Sequence, residues 1–167
     1  MSGPQRRLGS TDWIDHCAAL APVRRIALLG ASADANAAAA AALESTPVHA
    51  PDCLSLPADP WQPERLPEIA AQISAFAPDV LLIGMGMPLQ ERVAAQLAQL
   101  TDVPVIAAVG GAIDQISGAQ PLAPRWLGRL GLEWLFRLLS DPRRLAHRYL
   151  VEPVLLRKTL VARKARP

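Results

Sequence analysis

Pro78-Asp79-Val80-Leu81-Leu82-Ile83-Gly84-Met85-Gly86-Met87-Pro88-Leu89-Gln90-Glu91 is the stretch whose reading decides the fold. Val80 to Ile83 is an unbroken apolar run bounded by turn signals, which is how a strand covered on both faces reads in a parallel sheet. Gly84 and Gly86 follow where the backbone must turn out of the sheet, and Pro88 carries a φ already suited to a helix start. Leu89, Val93, Leu97 and Leu100 then share one helical face, so the segment lies back on the sheet as an amphipathic helix. A second apolar run, Val105 to Val109, again ends in glycines, Gly110 and Gly111, before Ala112-Ile113-Asp114. This strand-helix-strand unit brings two glycine-bearing turns to the same edge.

Open parallel sheets bind ligands beyond the carboxyl ends of their strands, and unpaired N–H groups at a helix start attract phosphate. Gly84, Gly86, Gln90, Glu91, Gly110, Gly111 and Asp114 are therefore the candidate ligand-site residues. Each also has a plain structural reading. The glycines make tight turns, Glu91 complements the helix dipole, and Asp114 caps the next segment.

Working outward, Arg24-Arg25-Ile26-Ala27-Leu28-Leu29-Gly30 is the first clear strand, and Ala35 to Leu43 is an alanine-rich helix. Ser32 or Asp34 caps that helix, and the Gly30/Ser32 turn is a second candidate for phosphate or sugar contact. A short helix is expected over Trp13 to Ala21. Prolines 47, 51, 57, 60 and 63 make residues 46–63 irregular, with at most a short strand around Val48. Leu66 to Phe76 is a helix with Leu66, Ile69, Ala70, Ile73 and Phe76 on one face. The alternation predicts an α/β fold, a Rossmann-like and mainly parallel sheet flanked by helices.

The chain has 167 residues, 51% of them hydrophobic, enough for one globular domain with a real core. Its two cysteines, Cys17 and Cys53, form no CxxC pattern and signal neither a disulfide framework nor zinc. No apolar run reaches bilayer-spanning length and no signal-peptide core follows the polar start, so a cytoplasmic location is expected. The net charge of +2 conceals a division. Residues 1–120 carry 6 Lys/Arg against 12 Asp/Glu, and residues 121–167 carry 11 against 3. The expected organisation is accordingly an α/β domain over 1–120 and a basic helical appendage over 121–167. Leu127 to Leu139 reads as an apolar helix carrying Arg137, and Asp141-Pro142 caps a basic helix containing Arg144 and Arg148. Trp126, Trp134, Phe136 and Tyr149 among these arginines suit an anionic membrane surface, against the plain reading of a solvated charged face.

Gly84-Met85-Gly86-Met87-Pro88-Leu89-Gln90-Glu91, Val109-Gly110-Gly111-Ala112-Ile113-Asp114 with Gly118, Ala123-Pro124-Arg125-Trp126, Gly131-Leu132-Glu133-Trp134-Leu135-Phe136-Arg137-Leu138 and Asp141-Pro142-Arg143-Arg144-Leu145 with Arg148-Tyr149-Leu150 resemble, in order, the motifs of the WecG/TagA/CpsF glycosyltransferases. The resemblance is dense from Pro78 to Leu150 and loose upstream. It implies a peripheral enzyme at the inner face of the cell membrane. Such an enzyme moves an N-acetylhexosamine-type sugar from a UDP-sugar to a polyprenyl-diphosphate-linked acceptor, inverting configuration without a metal or cofactor, in cell-surface polysaccharide or teichoic-acid assembly. By motif, Gln90 and Asp114 would be polar groups of the sugar-nucleotide site and Gly84 and Gly86 its backbone wall. Arg137, Arg144 and Arg148 would hold diphosphate or lipid, as planar paired donors do. The family's aspartate base and its Thr/Asn motif precede everything matched here. This chain is therefore expected to be weak or inactive by itself and to need a complementing N-terminal chain, or to use Asp12 or Asp114 as base.

Two other readings stay open. One is a non-catalytic relative that keeps the nucleotide-sugar or membrane surface. The other is an unrelated α/β binding domain. A dinucleotide fingerprint is opposed by Leu89, where a small residue is needed, and no nucleic-acid reading motif accompanies the basic tail. A sheet short of strands is expected to leave an edge uncovered or paired with a second copy.

Overall fold

The computed structural model describes residues 10–20, 22–47 and 49–121. Contacts divide the chain between Gln120 and Pro121, and the description below is of the first unit. The apolar helix, the basic helix and the arginines expected from residue 122 onward, Arg137, Arg144 and Arg148 among them, lie outside the described residues.

The elements run α1 (Ser10–Ala18), β1 (Arg25–Gly30), α2 (Ala33–Glu44), β2 (Asp52–Leu56), α3 (Leu66–Phe76), β3 (Val80–Gly84), α4 (Leu89–Leu100), β4 (Val105–Ala108) and α5 (Ala112–Ile116). All strand pairs are parallel and the order across the sheet is β2-β1-β3-β4. Each β-α-β step therefore requires a helical crossover, which is why strand and helix alternate along the chain. The α/β reading of the sequence holds, with a parallel sheet between helical layers.

The sheet separates two cores by the simple alternation of side chains along a strand. Ile26 and Leu28 of β1 and Val80 and Leu82 of β3 face one side, where α1, α2 and α5 contribute Ile14, Ala39, Leu43 and Ile113. Ala27, Leu29, Leu81 and Ile83 face the other, against Ile69 and Ile73 of α3 and Val93 and Leu97 of α4. Every residue of β3 is buried, so the apolar run at Val80–Ile83 is the spine of the molecule. Full burial of each large aliphatic side chain contributes roughly 1.5–3 kcal/mol, so these two layers supply most of what opposes chain entropy.

At the amino end of the sheet, the Asp79 carboxylate accepts the Arg24 and Arg25 N–H groups at 2.7 and 2.9 Å. Arg25 donates from its guanidinium to the Phe76 carbonyl at 2.8 Å. Together they register the start of β3 against the start of β1. Ala77, at φ +49, ends α3 in the left-handed conformation and lets the chain turn into this junction.

Three expectations need correction. Between residues 46 and 63 a strand forms at Asp52–Leu56, further along than expected, and Val48 itself lies outside the described residues. Pro51 and Pro57 bound a five-residue run that pairs with β1 from Arg25↔Asp52 to Leu29↔Leu56. Prolines there delimit the strand without preventing it. The first helix begins at Ser10 and ends at Ala18, three residues earlier at each end than expected. Asp114 lies inside α5, as its third residue, and so does not cap it. Among the described residues the outer strands β2 and β4 each lack a neighbour on one side, and Val105 of β4 is 48% exposed.

Candidate functional site

Strand order reverses between β1 and β3. Chain leaving β1 goes to β2 on one side by way of α2, and chain leaving β3 goes to β4 on the other by way of α4. In doubly wound sheets this switch point opens a crevice beyond the strand ends, because the two departing turns part in opposite directions. Here the two strands end on glycines in register, Gly30 opposite Gly84. Gly30 has φ +125, and a Cβ there would lie 2.3 Å from the Gly84 carbonyl oxygen. The backbones thus meet more closely than any side chain would allow.

The turn after β1 is built from Ala31, at φ +57, and Ser32. The Ser32 hydroxyl accepts the Ala35 N–H at 3.3 Å and caps α2, so of the two capping candidates it is Ser32 that does so. Asn36, one turn further on, is wholly buried. Its amide N–H₂ donates to the carbonyls of Leu28 at 3.0 Å and Gly30 at 2.7 Å, and its oxygen accepts the Ser55 hydroxyl at 2.6 Å. One side chain on α2 therefore binds the end of β1 to β2. Sequence reading passed over both Asn36 and Ser55. The available signal was a single asparagine, a poor helix former, within an alanine-rich helix.

The turn after β3 keeps Met85 inside and sends Gly86, Met87 and Pro88 to the surface. The Gly86 carbonyl accepts the Leu89 and Gln90 N–H groups at 3.0 and 3.2 Å, which seats the first turn of α4 directly above β3. A Cβ on Gly86 would meet nothing within 4 Å, so this glycine borders open space. Gly84 differs, since a Cβ there would press on Ile113 at 2.7 Å. It lets α5 close over the strand end.

Gln90 is 6% exposed. Its amide oxygen accepts the Gly110 N–H at 3.0 Å, and its N–H₂ donates to the Glu91 carboxylate at 2.9 Å. Val109 continues the pairing by donating its N–H to the Ile83 carbonyl at 2.9 Å. Gly110 then takes φ +58, a left-handed conformation suited to glycine, and also borders open space. Gly111 leads into α5, where the Asp114 carbonyl accepts the Ser117 hydroxyl at 2.8 Å and the Gln120 N–H at 2.9 Å.

The candidate residues thus separate by environment. Gly84, Gln90 and Gly110 are joined at the ends of β3 and β4, with Gly86 and Glu91 exposed beside them. Gly111 and Asp114 are partly exposed at the start of α5. The sequence reading placed the crevice between β3 and β4. The topology adds a third turn, Gly30 to Ser32, and centres the switch point one strand over, between β1 and β3.

The other end of the sheet carries a cavity of about 360 Å³, lined by Arg25, Ile73, Pro78, Asp79, Asp102 and Val103 among others. It opens at the amino ends of the strands, away from the glycine turns. Asp79 is held below the usual carboxylate range by the two backbone N–H groups it accepts. Burial, with Glu44 and Asp52 nearby, pushes the Cys53 thiol up to about 12, and burial also raises Cys17. Both thiols are therefore poor nucleophiles at neutral pH. Among the described residues no three His, Cys, Asp or Glu side chains gather as metal ligands.

A family model described as the glycosyl transferase WecG/TagA/CpsF family matches residues 2–167 of this chain, extending well upstream of the dense motifs. An N-acetylglucosaminyldiphosphoundecaprenol N-acetyl-beta-D-mannosaminyltransferase of Bacillus subtilis (strain 168) is 37% identical to it over 74 residues. That stretch covers 44% of this chain and 29% of the Bacillus protein.

Proposed function

Since the chain belongs to the WecG/TagA/CpsF glycosyltransferase family, we propose that it takes part in cell-surface polysaccharide assembly by moving an N-acetylhexosamine-type sugar from a UDP-sugar to a polyprenyl-diphosphate-linked acceptor. The observation that carries this reading is the switch point. Two parallel strands ending on Gly30 and Gly84 in register place their departing turns around one crevice, the usual position for a nucleotide on such a sheet. The name of the Bacillus relative, a transferase acting on a diphosphoundecaprenol-linked sugar, supports the acceptor class.

In this scheme the exposed Gly86 and the partly exposed Gly110 line the crevice, where among the described residues a Cβ at either would meet nothing within 4 Å. Gly84 and Gly111 form the wall behind it, and Gln90 and Glu91 flank it. An acceptor hydroxyl attacks the anomeric carbon of the sugar while the bond to UDP breaks, and a base takes the hydroxyl proton. Asp114 is the candidate base within this chain. Arg137, Arg144 and Arg148 supply positive charge for a lipid-linked diphosphate or for an anionic membrane, at whose inner face the chain works peripherally. No helix among the described residues is long and apolar enough to cross a bilayer.

Titration of the full chain with UDP and with a UDP-N-acetylhexosamine, with and without polyprenyl-diphosphate acceptor in liposomes, tests the reading. Saturable binding and sugar transfer are expected, if necessary with a complementing N-terminal chain supplied. Absence of UDP binding in every arm rejects the proposal. Binding without transfer in all arms would instead place the chain among non-catalytic relatives.

A further inference from the structure

From the geometry around Gln90 we infer that this residue positions the donor site without touching the donor, its amide setting the separation of the turns that follow β3 and β4. The inference rests on the reading of the strand-end crevice as the UDP-sugar site. Both ends of the amide are already engaged within the protein. The oxygen accepts the Gly110 N–H at 3.0 Å, and the nitrogen donates to Glu91 at 2.9 Å. At 6% exposure the side chain presents little of itself to a ligand.

Glu91 determines which way the amide points. An ionised carboxylate can only accept, so it takes the N–H₂ and leaves the amide oxygen facing Gly110. The bond spans twenty residues of sequence and, beside the Val109 N–H to Ile83 carbonyl bond, ties the start of α4 to the turn after β4. It also acts on a residue with little local constraint. Gly110 has no side chain, has φ +58, and borders open space. Gln90 itself is firmly placed, since its own N–H is bonded to the Gly86 carbonyl and its helix packs through Val93 and Leu97. A fixed side chain thus holds a mobile type of residue at the rim of the crevice. The Gly110 N–H is turned inward as a result, and the turn after β4 is held against the start of α4, so the rim cannot widen.

The test uses the isotopically labelled full chain, with UDP and a UDP-N-acetylhexosamine as probes. Gln90→Ala removes the acceptor, and Gln90→Met removes it while preserving side-chain length in case the smaller residue unfolds the protein. In the ligand-free variants, exchange of the Gly110 amide proton is expected to quicken about tenfold or more, with its resonance displaced as the hydrogen bond is lost. The dissociation constants of both probes should rise by a common factor of about ten, because a widened rim affects uridine diphosphate however its sugar is substituted. Unchanged Gly110 exchange overturns the inference, as does quickened exchange with unchanged affinity. Loss confined to the sugar-bearing probe also overturns it, by showing direct contact. If the unmodified chain binds no UDP, the functional proposal fails and this role with it. If it binds and both variants bind equally well, only the role of Gln90 fails.

Discussion

Gly30 and Gly84 face each other at the carboxyl ends of β1 and β3, with room between them for no Cβ at position 30, which would lie 2.3 Å from the Gly84 carbonyl oxygen. This contact lies at the switch point, so it concerns both the stability of the sheet and the shape of the crevice above it.

Gly30→Ala combines that overlap with a φ of +125 that L-residues rarely adopt. It should destabilise the domain by roughly 3 kcal/mol or more, through backbone strain and displacement of β3. Urea unfolding of the two proteins measures the difference, and a loss under about 1 kcal/mol would show that the strands can part without cost.

Asn36→Leu removes the partner of the buried Leu28 and Gly30 carbonyls and of the partly exposed Ser55 hydroxyl. A loss of about 2–4 kcal/mol is expected, against about 1 kcal/mol for Ser55→Ala. In a double-mutant cycle the two changes should fail to add, since they share one hydrogen bond.

Gly86→Leu fills open space at the rim of the crevice and meets no neighbour within 4 Å at its Cβ. Its thermal midpoint should stay within a few degrees of the parent while UDP affinity falls about tenfold, each tenfold being 1.4 kcal/mol. Calorimetric titration with UDP decides the matter. Unchanged affinity would move the ligand away from this turn.

Asp79 gives the domain a defined response to acid. Its folded carboxyl titrates below the ordinary value near ~4 of an unfolded chain, because it accepts the Arg24 and Arg25 N–H groups. A depressed folded pKa means that the unfolded state takes up the proton first. The stabilisation is therefore complete above pH ~4 and is lost as pH falls through the folded pKa. Asp79→Asn should lower the urea midpoint at neutral pH, and the gap between the two proteins should close as pH falls from ~4 into stronger acid. A gap that stays constant across that range would mean the carboxylate charge contributes nothing.

Much of the fold was open to reading along the chain. The runs Ile26–Leu29 and Val80–Ile83 are strands, the periodic segments at Leu66–Phe76 and Leu89–Leu100 are helices, and the glycines after β3 and β4 are turns. These features are local, and each is carried by a few neighbouring residues. The strand at Asp52–Leu56 escaped because its identity depends on pairing with β1, and flanking prolines resemble a loop when the partner is out of view. At the candidate site, the residue types were legible and their tasks were not. Gln90 reads as a polar group beside the crevice, and only the structure shows it buried, with its amide bonded to Gly110 and Glu91.

Sequence alone therefore determined most of the segments that become strand or helix, β2 excepted, since apolar periodicity and turn chemistry act over a few residues. Tertiary structure alone decided that β1 and β3 lie side by side, that Gly30 meets Gly84, and that Asn36 and Gln90 point inward to hold strand ends. Those outcomes depend on which distant backbone groups are left needing a partner once the sheet has assembled, and no short window of sequence contains both members of such a pair.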